Sequence, residues 1–211
     1  MKNKDPHLGL LLSQLEAIAQ SGRYYSKDVY DLDRYEQLED VSKQLISKLS
    51  NATPEQLRLF FDKDTGYVTP KVDIRAVTFK QNKILLVQEK SNQKWSIPGG
   101  WADLGYSAGE IAIKETQEEA GIKVSPVRMI AVYDMAKHRY KESNFSYIYK
   151  IFIECHPEDT DVHSGIETSN AAYFDLEDAL KLSLSTNRIL PEDLKMAFAC
   201  HHSQYWKTKF D

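Results

Sequence analysis

The stretch Gly99–Ile122, GGWADLGYSAGEIAIKETQEEAGI, decides how the rest of the chain is read. Its centre is Glu115-Thr116-Gln117-Glu118-Glu119. Residues at i, i+3 and i+4 share one face of a helix, so Glu115, Glu118 and Glu119 point the same way. Like charges crowded on one face repel. A divalent cation relieves that repulsion, and clustered carboxylate oxygens suit a hard ion such as Mg²⁺ or Mn²⁺. The ends of this helix are also marked. Ser107-Ala108-Gly109-Glu110 is a capping box, and Gly121 can take the left-handed cap after the last turn. Ile113, Thr116 and Ala120 form the opposite stripe, predicted to pack on a sheet. Ahead of the helix, Ile97-Pro98-Gly99-Gly100 reads as a strand end running into a glycine loop, where backbone groups can approach a ligand closely.

Working outward, the N-terminal side is helical. Leu8, Leu11, Leu12, Leu15, Ile18 and Ala19 recur at helical spacing over residues 6–20, with Gly22 as the expected stop. Leu38, Val41, Leu45, Ile46 and Leu49 give a second helix over 31–49, capped by Asp31 or Asp33. Thr53-Pro54-Glu55-Gln56 opens a third. From Lys71 the period becomes strand-like. Val72–Phe79 and Lys83–Gln88 form a predicted hairpin around Gln81-Asn82, followed by a short strand Trp95–Pro98. Beyond the carboxylate helix, strands are predicted over 124–134, 145–155 and 170–174, and helices over 176–180 and 191–206. Strands interleaved with helices imply a mixed sheet between helical layers.

Composition narrows the classes of function. A chain of 211 residues with 42% hydrophobic and 27% charged residues is that of a globular protein of one large or two small domains. The net charge of -4 argues against general nucleic-acid affinity, which needs a basic field. Cys155 and Cys200 are the only cysteines, so neither a disulfide framework nor a cysteine zinc site is expected. The polar start and the short Leu8–Leu12 run predict neither signal peptide nor membrane span, hence a cytoplasmic protein.

The opening stretch resembles the Nudix box, G-x5-E-x7-R-E-U-x-E-E-x-G-U, where U is a bulky aliphatic residue. Gly100 falls on the first Gly, Glu115 on the Glu after the Arg, Glu118 and Glu119 on the pair, Gly121 on the last Gly and Ile122 on the last U. Tyr106, Lys114 and Thr116 stand where the box has Glu, Arg and an aliphatic residue. The family's Arg helps orient the carboxylates, and Lys114 can do so as a point charge without the planar fork. Tyr106 removes one carboxylate, for which Asp103 is a candidate substitute. The segments Ala17–Gly22, Asp31–Tyr35 and Gly66–Arg75, with the GGWAD loop, resemble a bacterial Nudix subfamily that carries a helical N-terminal domain.

The resemblance implies an α+β fold: a Nudix-type α/β/α sandwich with a mixed sheet over residues 66–211, preceded by a small helical domain over 1–65 that serves dimerisation. It implies metal-dependent hydrolysis of the pyrophosphate bond in a nucleoside diphosphate linked to another group. ADP-ribose and CDP-choline are the types described. The products are a nucleoside monophosphate and a phosphorylated second group. A small-molecule nucleotide substrate and a homodimer follow. A helix-turn-helix DNA reader is disfavoured for the N-terminal helices because residues 30–40 are acid-rich. A nucleotide-sensing module without turnover stays open as the alternative, consistent with Tyr106 and Lys114.

Site residues follow from both readings. Glu115, Glu118 and Glu119, with the Gly99 carbonyl, are the candidate ligands for Mg²⁺ or Mn²⁺. Glu118 and Glu119 are also counted in the catalytic set. The resemblance implies a general base outside the box, on a loop, for which Glu167 is the first candidate and Glu142 the second. Arg75, a charge inside an apolar strand, is either a phosphate ligand or a structural ion pair. His138 and Arg139, between two strands, offer cations near a substrate mouth. Trp95 and Trp101 flank the glycine loop and offer stacking surfaces, against the more ordinary role of a Trp in core packing.

Overall fold

Apolar residues at helical spacing build two N-terminal helices, α1 (Pro6–Tyr25) and α2 (Val29–Leu49). The structure is a computed structural model, described here for residues 6–49, 66–140, 147–159 and 161–211. The third helix expected at Thr53 lies outside the described residues. Helix α1 runs past its expected stop, because Gly22 is an interior contact against the Tyr35 ring of α2 and not a cap. Helix α2 is capped by Asp28, whose Oδ1 accepts from the amides of Tyr30 (2.9 Å) and Asp31 (3.1 Å). The buried residues of the pair mix apolar and polar side chains. Leu12, Ala19 and Ile46 are buried alongside Glu16, Glu39 and Ser42. Lys43 lies 3.9 Å from Glu16 and 3.6 Å from Glu39, and Arg23 pairs with Glu39 at 3.1 Å. Val41 and Leu45, expected on the inner face, are exposed, as are Leu11 and Ile18.

Among the described residues, 6–49, 66–70 and 147 belong to one compact unit, and 71–140, 148–159 and 161–211 to a second. The second is built on a seven-stranded mixed sheet. Strands β1 (Lys71–Lys80) and β2 (Lys83–Glu89) form the predicted hairpin. Its turn residues, Gln81 (φ 48°) and Asn82 (φ 60°), take the left-handed backbone that a two-residue hairpin loop needs. Strand β3 (Trp95–Ser96) pairs with β2, and helix α3 (Ala108–Ala120) carries the carboxylates. Then come β4 (Val124–Asp134), β5 (Ile148–Pro157), β6 (Thr168–Phe174), α4 (Leu176–Lys181), α5 (Pro191–His201) and β7 (Lys209–Phe210). The sheet order is β3-β2-β1-β5-β4-β7, with β6 pairing antiparallel to β2. Strands β1 and β5 are parallel, and β4 and β5 antiparallel.

Alternation along the strands creates a core on each side of the sheet. Ile74 and Ala76 of β1, with Leu85 and Val87 of β2, pack against Ile111, Ala112 and Ala120 of α3. Val77, Phe79, Ile84 and Leu86 face the other way, into a core with Leu194, Ala197 and Phe198 of α5. This is the expected sandwich. The face of α3 turned to the sheet is Ile111, Ala112, Thr116, Glu119 and Ala120, whereas Ile113 is only partly buried. Thr116 is tolerated in place of an aliphatic residue because its hydroxyl donates to the Ala112 carbonyl one turn back (2.7 Å).

Candidate active site

The glycine loop is laid along β1 by backbone hydrogen bonds. Ala76 N–H donates to Pro98 O (2.8 Å), Ile74 N–H to Gly100 O (2.8 Å), and Ala102 N–H to Val72 O (2.9 Å). Gly99 has φ 150°, and a Cβ there would lie 1.9 Å from the Ile74 carbonyl oxygen, so no other residue fits. The Gly99 amide donates to Glu119 Oε2 (3.0 Å). At Gly100 a Cβ would meet the Glu115 carboxylate at 2.9 Å. The loop therefore presents bare backbone to the two inner carboxylates of α3.

Helix α3 is set as its sequence predicts. Ser107 and Glu110 exchange both capping-box bonds, at 3.3 and 2.8 Å, and Gly121 takes the left-handed cap. The three glutamates nevertheless have different environments. Glu119 is buried, Glu115 partly buried, and Glu118 59% exposed at its side chain. Burial pushes the Glu119 carboxyl up to about 7, with Glu115 adding repulsion, while the Gly99 amide, Arg75 and Arg188 draw it down. Glu115 is raised as well, chiefly by burial. Lys114 stands where the box has Arg, 3.1 Å from Asp103, 3.7 Å from Glu115 and 3.9 Å from Glu118. Asp103 is thus engaged by Lys114. Among the described residues no three His, Cys, Asp or Glu side chains converge on one point. Like charges separate, and Lys114 attracts Glu118 outward. Glu115 and Glu119 remain one helical turn apart as an all-oxygen pair whose ionised forms burial disfavours. That donor chemistry fits a hard divalent cation.

A cleft of about 380 Å³ opens beside Glu119, lined by Glu89, Lys90, Ser91, Glu119, Ile166, Glu167, Thr168 and Arg188. Glu167 is exposed within it. Its loop is pinned to the rest of the site. Lys90 Nζ donates to the carbonyls of Gly165 (3.2 Å) and Ile166 (2.7 Å), and Lys90 N–H donates to Glu167 O (3.0 Å). Thr168 Oγ1 accepts from Gly165 N–H (2.7 Å) and donates to Glu119 O (2.7 Å). Gly165 lies so close to α3 that a Cβ would come within 1.7 Å of the Glu118 carbonyl oxygen. That glycine serves close packing, not a hinge.

Several expected substrate contacts lie elsewhere. Arg75 is 3% exposed, and all three of its nitrogens are used within the fold. Nε and Nη2 donate to Asp73, and Nη1 donates to the Ile97 carbonyl (3.1 Å). Its donors thus serve a buried ion pair within the fold, while its charge still reaches Glu119 and Glu115 of α3. Trp95 is buried in the core, edge-on to Phe174 at 4.9 Å, which removes it from any substrate surface. His138 is tied to Asp211 (2.9 Å) beside the Tyr133 ring, Arg139 is exposed, and neither lines the cleft. Trp101 is 48% exposed, and its backbone bridges to Asp73 at the loop. Glu142 lies outside the described residues. Three charged cleft residues went unread in the sequence, Glu89, Lys90 and Arg188. Their one available signal was a charged pair ending the apolar run Ile84–Val87 and a third charge just before Ile189-Leu190.

Residues 69–192 match the NUDIX domain. The chain belongs to the Nudix family. Residues 7–61 match the domain described as UDP-X-like, N-terminal oligomerisation domain. Over 198 residues, 94% of each chain, it is 41% identical to the Bacillus subtilis (strain 168) protein named "Putative ADP-ribose pyrophosphatase YjhB". Two solved structures are similar. An ADP-ribose pyrophosphatase from Streptococcus suis 89-1591 is 35% identical with a TM-score of 0.60, covering 68% of this chain and 100% of that one. A UDP-X diphosphatase is 27% identical with a TM-score of 0.61, covering 94% and 96%. The protein is accordingly a Nudix pyrophosphohydrolase, of a family that generally uses divalent metal ions. Among the described residues no helix is long and apolar enough to cross a membrane.

Proposed function

We propose that this Nudix hydrolase cleaves the pyrophosphate bond of a nucleoside diphosphate joined to another group, of the ADP-ribose or CDP-choline type, with Mg²⁺ or Mn²⁺. The observation that carries the reading is the pair of glutamates on one face of α3, Glu115 partly buried and Glu119 buried, held against bare glycine backbone, with Glu119 lining an open cleft. Glu115 and Glu119 would hold the cation, with Glu118 and the Gly99 carbonyl as further donors. When bound it supplies charge neutralisation along the diphosphate. Glu167 lines the same cleft as Glu119 and serves as general base. It takes a proton from the attacking water as the water oxygen bonds to one phosphorus. The bond from that phosphorus to the bridging oxygen breaks, giving a nucleoside monophosphate and a phosphorylated second group. Lys114 orients Glu115 and Glu118 as a point charge, and Trp101 offers its exposed ring to a base or sugar.

The experiment is a turnover panel of ADP-ribose, CDP-choline, UDP-sugars and dinucleotides with Mg²⁺, with Mn²⁺ and with chelator. Cation-dependent release of a monophosphate from at least one of them is expected. Absence of turnover on the whole panel would overturn the reading. For assembly we propose a homodimer formed through residues 1–65, supported by the exposed Leu11, Ile18, Val41 and Leu45. A monomeric mass in light scattering at micromolar concentration would refute it.

A further inference from the structure

Glu89 is an unusual end for a core strand. Residues 84–87 of β2 are fully buried apolar side chains, and the run closes on a carboxylate that is itself only 8% exposed. The pairing of β2 with β6 shifts register between Gln88 and Glu89, where Ser169 of β6 is the extra residue, an irregularity of the kind found beside active sites. Oε2 accepts from Asn92 Nδ2 (2.9 Å). Oε1 is buried with no hydrogen-bond partner, yet Arg188 Nε lies 3.4 Å away. On its other side Arg188 Nη1 lies 3.9 Å from Glu119 Oε1. The guanidinium is thus suspended between two buried carboxylates and locked onto neither, with about a third of its side chain open to the cleft.

The turn that carries Arg188 is fixed. Arg188 N–H donates to Ser185 O (2.7 Å), and Ser185 N–H donates to Trp95 O (2.8 Å) in β3, the strand that leads into the glycine loop. The other cation of the cleft, Lys90, is committed to the Gly165 and Ile166 carbonyls. Arg188 is therefore the lining cation with donors to spare, since a guanidinium has five N–H donors in a fork that matches phosphate oxygens. We propose that Arg188 binds the substrate's diphosphate in this cleft and that Glu89 is its positioning residue. The proposal rests on the reading of the chain as a diphosphate hydrolase.

The test is steady-state kinetics on whichever of ADP-ribose or CDP-choline is turned over, with equilibrium binding of non-cleavable α,β-methylene ADP-ribose. The variants are Arg188→Met, Arg188→Lys, Glu89→Gln and the double Arg188→Met/Glu89→Gln. Loss of one charge-assisted contact predicts that Arg188→Met raises KM and weakens analogue binding by roughly 10- to 100-fold, with a smaller change in kcat. Arg188→Lys recovers part of the loss. Glu89→Gln shifts KM in the same direction by less, and adds nothing on top of Arg188→Met, because it acts through Arg188. Unchanged KM and analogue affinity in Arg188→Met, with the wild type active, would overturn the proposal. Recovery in the double variant would also overturn it, by showing that Arg188 only neutralises Glu89. A wild type inactive on every diphosphate would count against the hydrolase reading instead, while analogue binding would still report on Arg188. Should Arg188→Met fail to fold, Arg188→Lys and Glu89→Gln carry the same comparison.

Discussion

Two clusters of buried charge lie in the catalytic unit, and they are built differently. In the first, Asp73 accepts from both Arg75 and Lys150. Lys150 lies 5.1 Å from the centre of the Tyr140 ring, Tyr140 O–H donates to Asp193 (2.7 Å), and Asp193 accepts from the Leu190 amide (2.7 Å). Burial alone raises the Asp73 carboxyl, but Arg75 and then Lys150 outweigh it and hold it below its ordinary range. In the second cluster, on α3, burial wins. Glu119 has one backbone N–H at 3.0 Å and a guanidinium at 3.9 Å, and its carboxyl stays raised. A buried charge that is paired and hydrogen-bonded belongs to the fold. Negative charge left over beside an open cleft is an arrangement that a ligand cation completes.

The sharpest way to break this comparison is to neutralise one carboxylate in each cluster. Glu119→Gln should lower kcat by about 10³-fold or more, since a cation's several kcal/mol of charge stabilisation is compromised. The variant should fold at least as well as the wild type in the absence of metal, by circular dichroism and thermal melting. Full activity in Glu119→Gln would remove the assignment of α3 as the metal-holding element. Asp73→Asn should do the reverse. It leaves Lys150 and Arg75 buried without their anion, which costs about 3–5 kcal/mol of stability, while kcat per folded molecule changes only a few-fold. If denaturant titration found Asp73→Asn as stable as wild type, with turnover lost, the buried chain would have to be moved into the catalytic machinery.

Glu167, which lines the same cleft, sharpens the comparison further. Its loop backbone is held by Lys90, Thr168 and the close approach of Gly165 to α3 before substrate arrives. Glu167→Gln should cost at least about 10²-fold in kcat with metal affinity unchanged, the lower end for a lost general base. Single-turnover rates and a metal titration separate these. A near-normal rate would leave the reaction without a base on this loop.

What the sequence disclosed, and what it hid, follows the range of the interactions. The capping box, the Gly121 cap, the Gln81-Asn82 turn and the carboxylate spacing are local, and each is present in the structure. The roles of Arg75 and Trp95 were open between site and core, because only the register of β1 with β5 and the packing on Phe174 decide them. Glu89 and Arg188 are far apart in the chain and meet through a bulge and a turn that no short-range pattern announces. Gly22 read as a stop, but it and Gly165 are each a place where another element comes too near for a side chain. Glycine in a sequence does not distinguish these uses.

The smallest expected effect is thermodynamic, and its sign separates the two clusters without any assay of turnover. In the metal-free protein the Glu119 carboxyl stands at about 7 against an ordinary 4.5. Between those values the folded chain holds a proton that the unfolded chain has released, so stability falls as pH rises through this window. Below about 4.5 the penalty is absent, and above about 7 it is complete. Glu119→Gln lacks the titrating group, so metal-free variant and wild type should diverge in Tm between about pH 5 and 8, with the variant gaining. A tenfold difference in proton affinity between folded and unfolded chain is worth about 1.4 kcal/mol, and a chain of this size moves roughly 2–4 °C per kcal/mol. A gap of several degrees is therefore the upper expectation. Mg²⁺ favours the ionised carboxylate, so its stabilisation of the wild type should be larger at about pH 8 than at about pH 5 and nearly lost in Glu119→Gln. Asp73 has the opposite sign: its lowered carboxyl contributes stability at neutral pH that is lost only as pH falls through the acid range. A Tm difference between wild type and Glu119→Gln that stayed flat across that neutral window would mean that Glu119 is neutralised within the fold as fully as Asp73, and the distinction between the two clusters would fail.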